Sequence, residues 1–82
     1  MIRRMARRPV HAMPEDIREE LEARQLHSAC EQRRFYQRND YVAWIGRAKR
    51  PATRAKRIEQ MLTELDRGGV YMGMEHPPSR KP

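Results

Sequence analysis

The sequence predicts an all-α fold: a small bundle of three or four short helices, the last two forming a helical hairpin, with flexible termini. Three observations predict it. Ala55, Ile58, Leu62 and Leu65 recur at spacings of 3, 4 and 3, the strongest helical periodicity in the chain. Pro51 and the pair Gly68–Gly69 punctuate that segment as a helix start and a helix stop. Strand-like alternation of useful length is missing.

The first helix begins at "MPEDIREELEARQ". Pro14 suits the first helical position, since the N–H it lacks would be unpaired there anyway. Glu15 and Asp16 meet the positive end of the helix dipole, and Ile17 and Leu21 make a narrow apolar stripe. Leu26, Ala29 and Cys30 continue this helix or form a short second one; "RQLHS" holds no clear break. "EQRRFYQRND" reads as a connection in which Phe35 plugs the edge of the core. The next helix covers residues 37–49, with Tyr41, Ile45 and Ala48 at i, i+4, i+7 and Trp44 flanking them. Pro51 forces the residue before it out of the α region and starts the last helix, which runs to about Arg67. The predicted core is Ile17, Leu21, Tyr41, Trp44, Ile45, Ile58, Leu62 and Leu65.

Residues 1–12 read as a flexible basic arm, residues 13–69 as the helical domain and residues 70–82 as an extended or disordered tail. Within that tail Val70, Tyr71 and Met72 are expected to dock on the core. Tyr71, Met72 and Met74 are candidate contacts for a partner.

A chain of 82 residues makes one small domain, with 38% hydrophobic and 35% charged residues. Homodimerisation is one route by which so small a core gains stability. The net charge of +7 is uneven: residues 1–12 hold +4 of it, from Arg3, Arg4, Arg7 and Arg8. No apolar run is long enough to span a membrane, and no apolar stretch follows the N-terminal arginines as in a secretory signal. The single cysteine, Cys30, excludes an internal disulfide and fits a reducing cytoplasm.

Little here carries catalytic chemistry. Cys30 and His27 are i, i+3 neighbours and could form a nucleophile pair, but the sequence offers no third orienting group, and a small buried Cys beside a surface His is the better explanation. A structural zinc site needs four ligands at defined spacing, and these two do not make one. The expectation is a non-enzymatic protein without a cofactor.

The sharpest functional candidate is the run Arg47, Lys49, Arg50, Arg54, Lys56 and Arg57, six cations with no acid among them. Two helices meeting at Pro51 gather them around one corner. That corner could bind nucleic-acid phosphates, or be a solvated face whose long stems cover the core. A helix-turn-helix reading is weakened by Pro51 at the junction and by Gln60 standing nearly alone as a base-reading side chain.

The ordered set Tyr41, Trp44–Ile45, Ala48–Lys49, Thr53–Arg54, Lys56–Arg57–Ile58, Leu65 and a closing Gly resembles the C-terminal helical module of the bacterial YdeI/OmpD-associated, or bacteriocin-protection, family. "MPEDIREEL" and "GGVYMGM" extend the resemblance over residues 13–74. The resemblance implies a small helical module linked to envelope proteins and bacteriocin tolerance. It brings no catalytic residues. A protein partner is therefore the leading expectation, and nucleic acid the alternative.

Overall fold

The computed structural model describes residues 10–80. Four helices follow one another: α1 (Glu15–Ala23), α2 (His27–Glu31), α3 (Phe35–Gly46) and α4 (Pro51–Arg67). A two-stranded antiparallel hairpin follows, β1 (Val70–Tyr71) and β2 (Met74–Glu75), and then a 3-10 turn at Pro77–Ser79. The basic arm, with Arg3, Arg4, Arg7 and Arg8, lies outside the described residues apart from its last positions. There the His11 N–H donates to Asn39 Oδ1 at 2.7 Å, fastening the chain to α3.

The break between α1 and α2 is a capping motif without glycine. Gln25 takes φ 59°, the Leu26 N–H reaches back to the Leu21 carbonyl at 2.7 Å, and the Gln25 N–H reaches Glu22 at 3.1 Å. This pair of bonds is the Schellman arrangement, with Leu26 and Leu21 supplying its apolar contact. A glutamine carries no strong sequence signal for a left-handed position, which is why "RQLHS" left the break undecided.

The core is built from Ile17, Leu21, Leu26, Cys30, Tyr41, Ile45, Met61, Leu62 and Leu65. Of the predicted core, Trp44 and Ile58 are only partly buried and pack against this cluster from outside. Phe35 does not plug the core. It opens α3 with 52% of its surface exposed, and Arg38 stacks over its ring at 5.8 Å. Leu26 and Cys30, delivered by the tight α1–α2 turn, help fill the core instead. α3 thus starts two residues before the expected Gln37 and closes at Gly46 rather than Lys49. Residues 47–50 form the turn into α4, where Arg50 is extended (φ −108°, ψ 144°) as a residue before proline must be.

The expected tail is folded. Val70 pairs with Glu75 and Tyr71 with Met74 around a two-residue loop. Met72 (φ 51°) and Gly73 (φ 81°) are both left-handed, the requirement of a type I′ turn that suits the twist of a hairpin. Gly68 (φ 75°) and Gly69 (φ 72°) redirect the chain off α4. The Gly69 N–H then donates to Ser79 O at 3.0 Å and the His76 N–H to Gly69 O at 2.7 Å, which fold the segment back on itself.

Candidate functional site

Two polar regions occupy opposite ends of α4. At its C-terminal end Glu64 is buried, 6% exposed, and its carboxylate accepts four main hydrogen bonds. Oε1 takes the Tyr41 hydroxyl and the Met72 N–H (2.9 Å); Oε2 takes the Gly73 N–H (2.8 Å) and Gln60 Nε2 (3.1 Å). Both N–H groups of the turn residues thus end on one carboxylate. That fixes the left-handed Met72, a conformation unfavourable for a side chain of its size.

Arg33 supports the same region from the other side. It is 7% exposed and donates from Nη2 to the carbonyls of Glu64 (3.1 Å) and Val70 (2.9 Å), and from Nη1 to Gln37 Oε1 (3.2 Å). Tyr71 completes the anchor. Its hydroxyl donates to Asp40 Oδ2 at 2.7 Å, and its ring meets Tyr41 edge-on at 5.5 Å. Burial holds the phenols of Tyr41 and Tyr71 well above the ordinary tyrosine range, and the carboxylates that accept their hydrogen bonds add to the effect. Sequence reading gave no warning of Arg33 or Glu64, because a buried ion sits at a position that a charged surface residue would fill equally well.

At the N-terminal end the six cations divide. Arg54 is engaged by Asp16 of α1 through two bonds at 3.0 and 3.1 Å, and this bond holds the Asp16 carboxyl below its usual range. Arg57 donates to the Trp44 carbonyl at 2.7 Å and stacks over the Trp44 ring at 5.2 Å. Arg47, Lys49, Arg50 and Lys56 are exposed and form no ion pair among the described residues. No acidic residue occupies the first turn of α4, so this corner adds the helix dipole to four cations.

The Trp44–Arg57 pair and the hairpin lie along one face. Asp40 and Trp44 are four residues apart on α3, and Arg57, Gln60 and Glu64 are spaced three and four on α4. Tyr71 binds Asp40, Arg57 covers Trp44, and Gly73 sits beside Gln60. Met72 is partly buried against the core, while Met74 projects with 62% of its surface exposed. The tail candidates Tyr71, Met72 and Met74 therefore differ: the first two anchor the turn and the third faces outward.

Cys30 is buried at 1% exposure, and desolvation pushes its thiol up, opposite to what a thiolate nucleophile needs. His27, three residues earlier, is exposed and faces Glu31 at 3.9 Å. Among the described residues no three His, Cys, Asp or Glu side chains converge as metal ligands, and no helix is long and apolar enough to cross a membrane.

Fold and surface together define a small four-helix module closed by a C-terminal hairpin, with a cationic corner at one end of its last helix. The family described as Bacteriocin-protection, YdeI or OmpD-Associated matches residues 11–68, and the chain belongs to it. The match takes in all four helices and stops short of the hairpin, whereas the resemblance carried by "GGVYMGM" extends to Met74. Comparison with curated proteins and with solved structures returns no match.

Proposed function

We propose that this protein is a non-enzymatic interaction module that docks an acidic surface of a protein partner. The observation that supports this reading is the arrangement along α4: four exposed cations with no ion pair among the described residues at its N-terminal end, an outward methionine on a fixed turn at the other, and the Trp44–Arg57 pair between them. Carboxylates of the partner answer Arg47, Lys49, Arg50 and Lys56, while Met74 supplies an adaptable apolar contact. The family's description names bacteriocin protection and OmpD association, so a role in envelope stress, exerted from the cytoplasm, is part of the proposal. Homodimerisation through the same face is disfavoured by its like charges.

The test is capture of a partner by the full chain. A specific partner should survive nuclease treatment, and its retention should fall with Lys49→Glu/Arg50→Glu and separately with Met74→Asp. Retention by both variants would overturn the reading. The alternative, a nucleic-acid-binding module, draws on the same cations at the positive end of α4. Its distinguishing measurement is titration with random duplex DNA and RNA at two salt concentrations. Phosphate contacts predict steep salt dependence, and silence at about 50 mM salt removes this alternative.

A further inference from the structure

On a different part of the molecule the chain builds a cleft of about 370 Å³ between the α2–α3 elbow and the end of the folded tail. Its rim and floor include Arg33, Arg34, Arg80, Gln32, Gln37 and Ser79, with an apolar patch from Ala29, Leu65 and Pro78, and no Asp or Glu lines it. From this arrangement we infer a binding site for a small oxyanion, a phosphate or carboxylate group carried on a compact molecule.

Three independent features support it. The first is Arg33, which is more than nine-tenths buried yet has no carboxylate within ion-pair distance among the described residues; its bonds go to two carbonyls and an amide oxygen. Of the five N–H donors of a guanidinium, three are used in this way. The buried Glu64 carboxylate shares the region but spends its bonds on Tyr41, Gln60 and the turn N–H groups, so an anion in the cleft would give Arg33 a direct ionic partner. The second is the pair Arg34 and Arg80, exposed cations from two separate elements that meet at the same opening. Planar guanidinium forks suit the paired oxygens of phosphate and carboxylate. The third is the start of α3 itself. Arg34 is its N-cap, no side chain caps the helix and no acid stands in its first turn, so its positive end opens beside the arginines.

The site shares no residue with the docking face proposed above, so either can fail alone. Occupancy would also clamp the tail, since Ser79 and Arg80 come from the end of the folded segment and Arg33 and Arg34 from the elbow.

The experiment uses the full chain and three probes, inorganic phosphate, pyrophosphate and citrate, with ionic strength held constant by sodium chloride. Amide shifts should saturate as one site and concentrate at residues 32–37, 79 and 80. The double variant Arg34→Gln/Arg80→Gln should melt as the parent does in chloride and bind about tenfold or more weakly. Arg33→Met should abolish binding; if it does not fold, the exposed pair decides alone. Saturation by the phosphates identifies a phosphorylated ligand, and saturation by citrate alone a carboxylate. Linear shifts equal to those of chloride, shifts centred on residues 47–57, or unchanged affinity in the double variant would each overturn the inference.

Discussion

At the C-terminal end of α4 the charges of Glu64 and Arg33 are enclosed, and nearly every polar atom around them is committed to a bond; at the N-terminal end Arg47, Lys49, Arg50 and Lys56 stand in water with no ion pair among the described residues. The contrast separates two uses of ionic side chains in one short helix. An enclosed charge must be satisfied by the fold, so it acts on architecture. A solvated one costs nothing to leave unpaired and stays available to a partner.

The largest effect should come from breaking the enclosed end. Glu64→Ala removes the acceptor for the Tyr41 hydroxyl, two turn N–H groups and Gln60 at once. A loss of about 3–5 kcal/mol is expected, enough to threaten a domain of this size. Glu64→Gln, which keeps one acceptor oxygen, should cost less. Denaturant melts check both, and a Glu64→Ala protein as stable as the parent would mean that the hairpin is not held by this carboxylate.

Close behind is the apolar core that both ends share. Leu62 is 1% exposed, so Leu62→Ala should cost about 2–5 kcal/mol, and the same truncation at the partly buried Ile58 should cost clearly less. This pair of melts measures how legible the fold was. Periodicity placed Ile58 and Leu62 on one stripe and could not grade them, because position along a helix does not say what closes over it. The helices, the Pro51 junction and the glycine stop were readable because each rests on local chemistry. Phe35 was misplaced because a large aromatic carries the same signal whether it seals a core or stacks under an arginine. The hairpin was missed because two-residue strands show no alternation, and its Met72–Gly73 turn needs Glu64, eight residues earlier, to be favourable. The basic corner was legible as a cluster. That Arg54 belongs to Asp16, 38 positions away, was not.

The enclosed end also predicts how stability depends on pH. The phenols of Tyr41 and Tyr71 titrate higher in the folded protein than in an unfolded chain, where the value is about 10. Raised phenol values mean that the folded state holds its protons when the unfolded state has begun to lose them. Their stabilisation is therefore complete below about pH 10 and drains away as pH rises through the folded values. Alkaline melts should show that decline, with phenolate absorbance appearing together with unfolding. Tyr71→Phe should flatten it, at a neutral-pH cost of about 1 kcal/mol for the bond to Asp40. A parent protein whose stability is level from neutral pH to about pH 11 would show that these hydroxyls are not held as described.

The smallest effect is expected at the open end, and its smallness is the point. Neutralising Arg47, Lys49, Arg50 and Lys56 to Gln removes no ion pair among the described residues, so the melt should move by no more than about 0.5 kcal/mol. Its direction is set by the whole molecule. With a net charge of +7, deleting cations relieves self-repulsion, and the variant should be level with or slightly above the parent. Arg54→Gln serves as the internal contrast, because it gives up the two bonds to Asp16 and should fall below the four-fold variant. If the four neutral side chains instead destabilise the protein as Arg54→Gln does, the corner is part of the scaffold. If they leave stability untouched and abolish partner capture, the corner's charge is held for the partner.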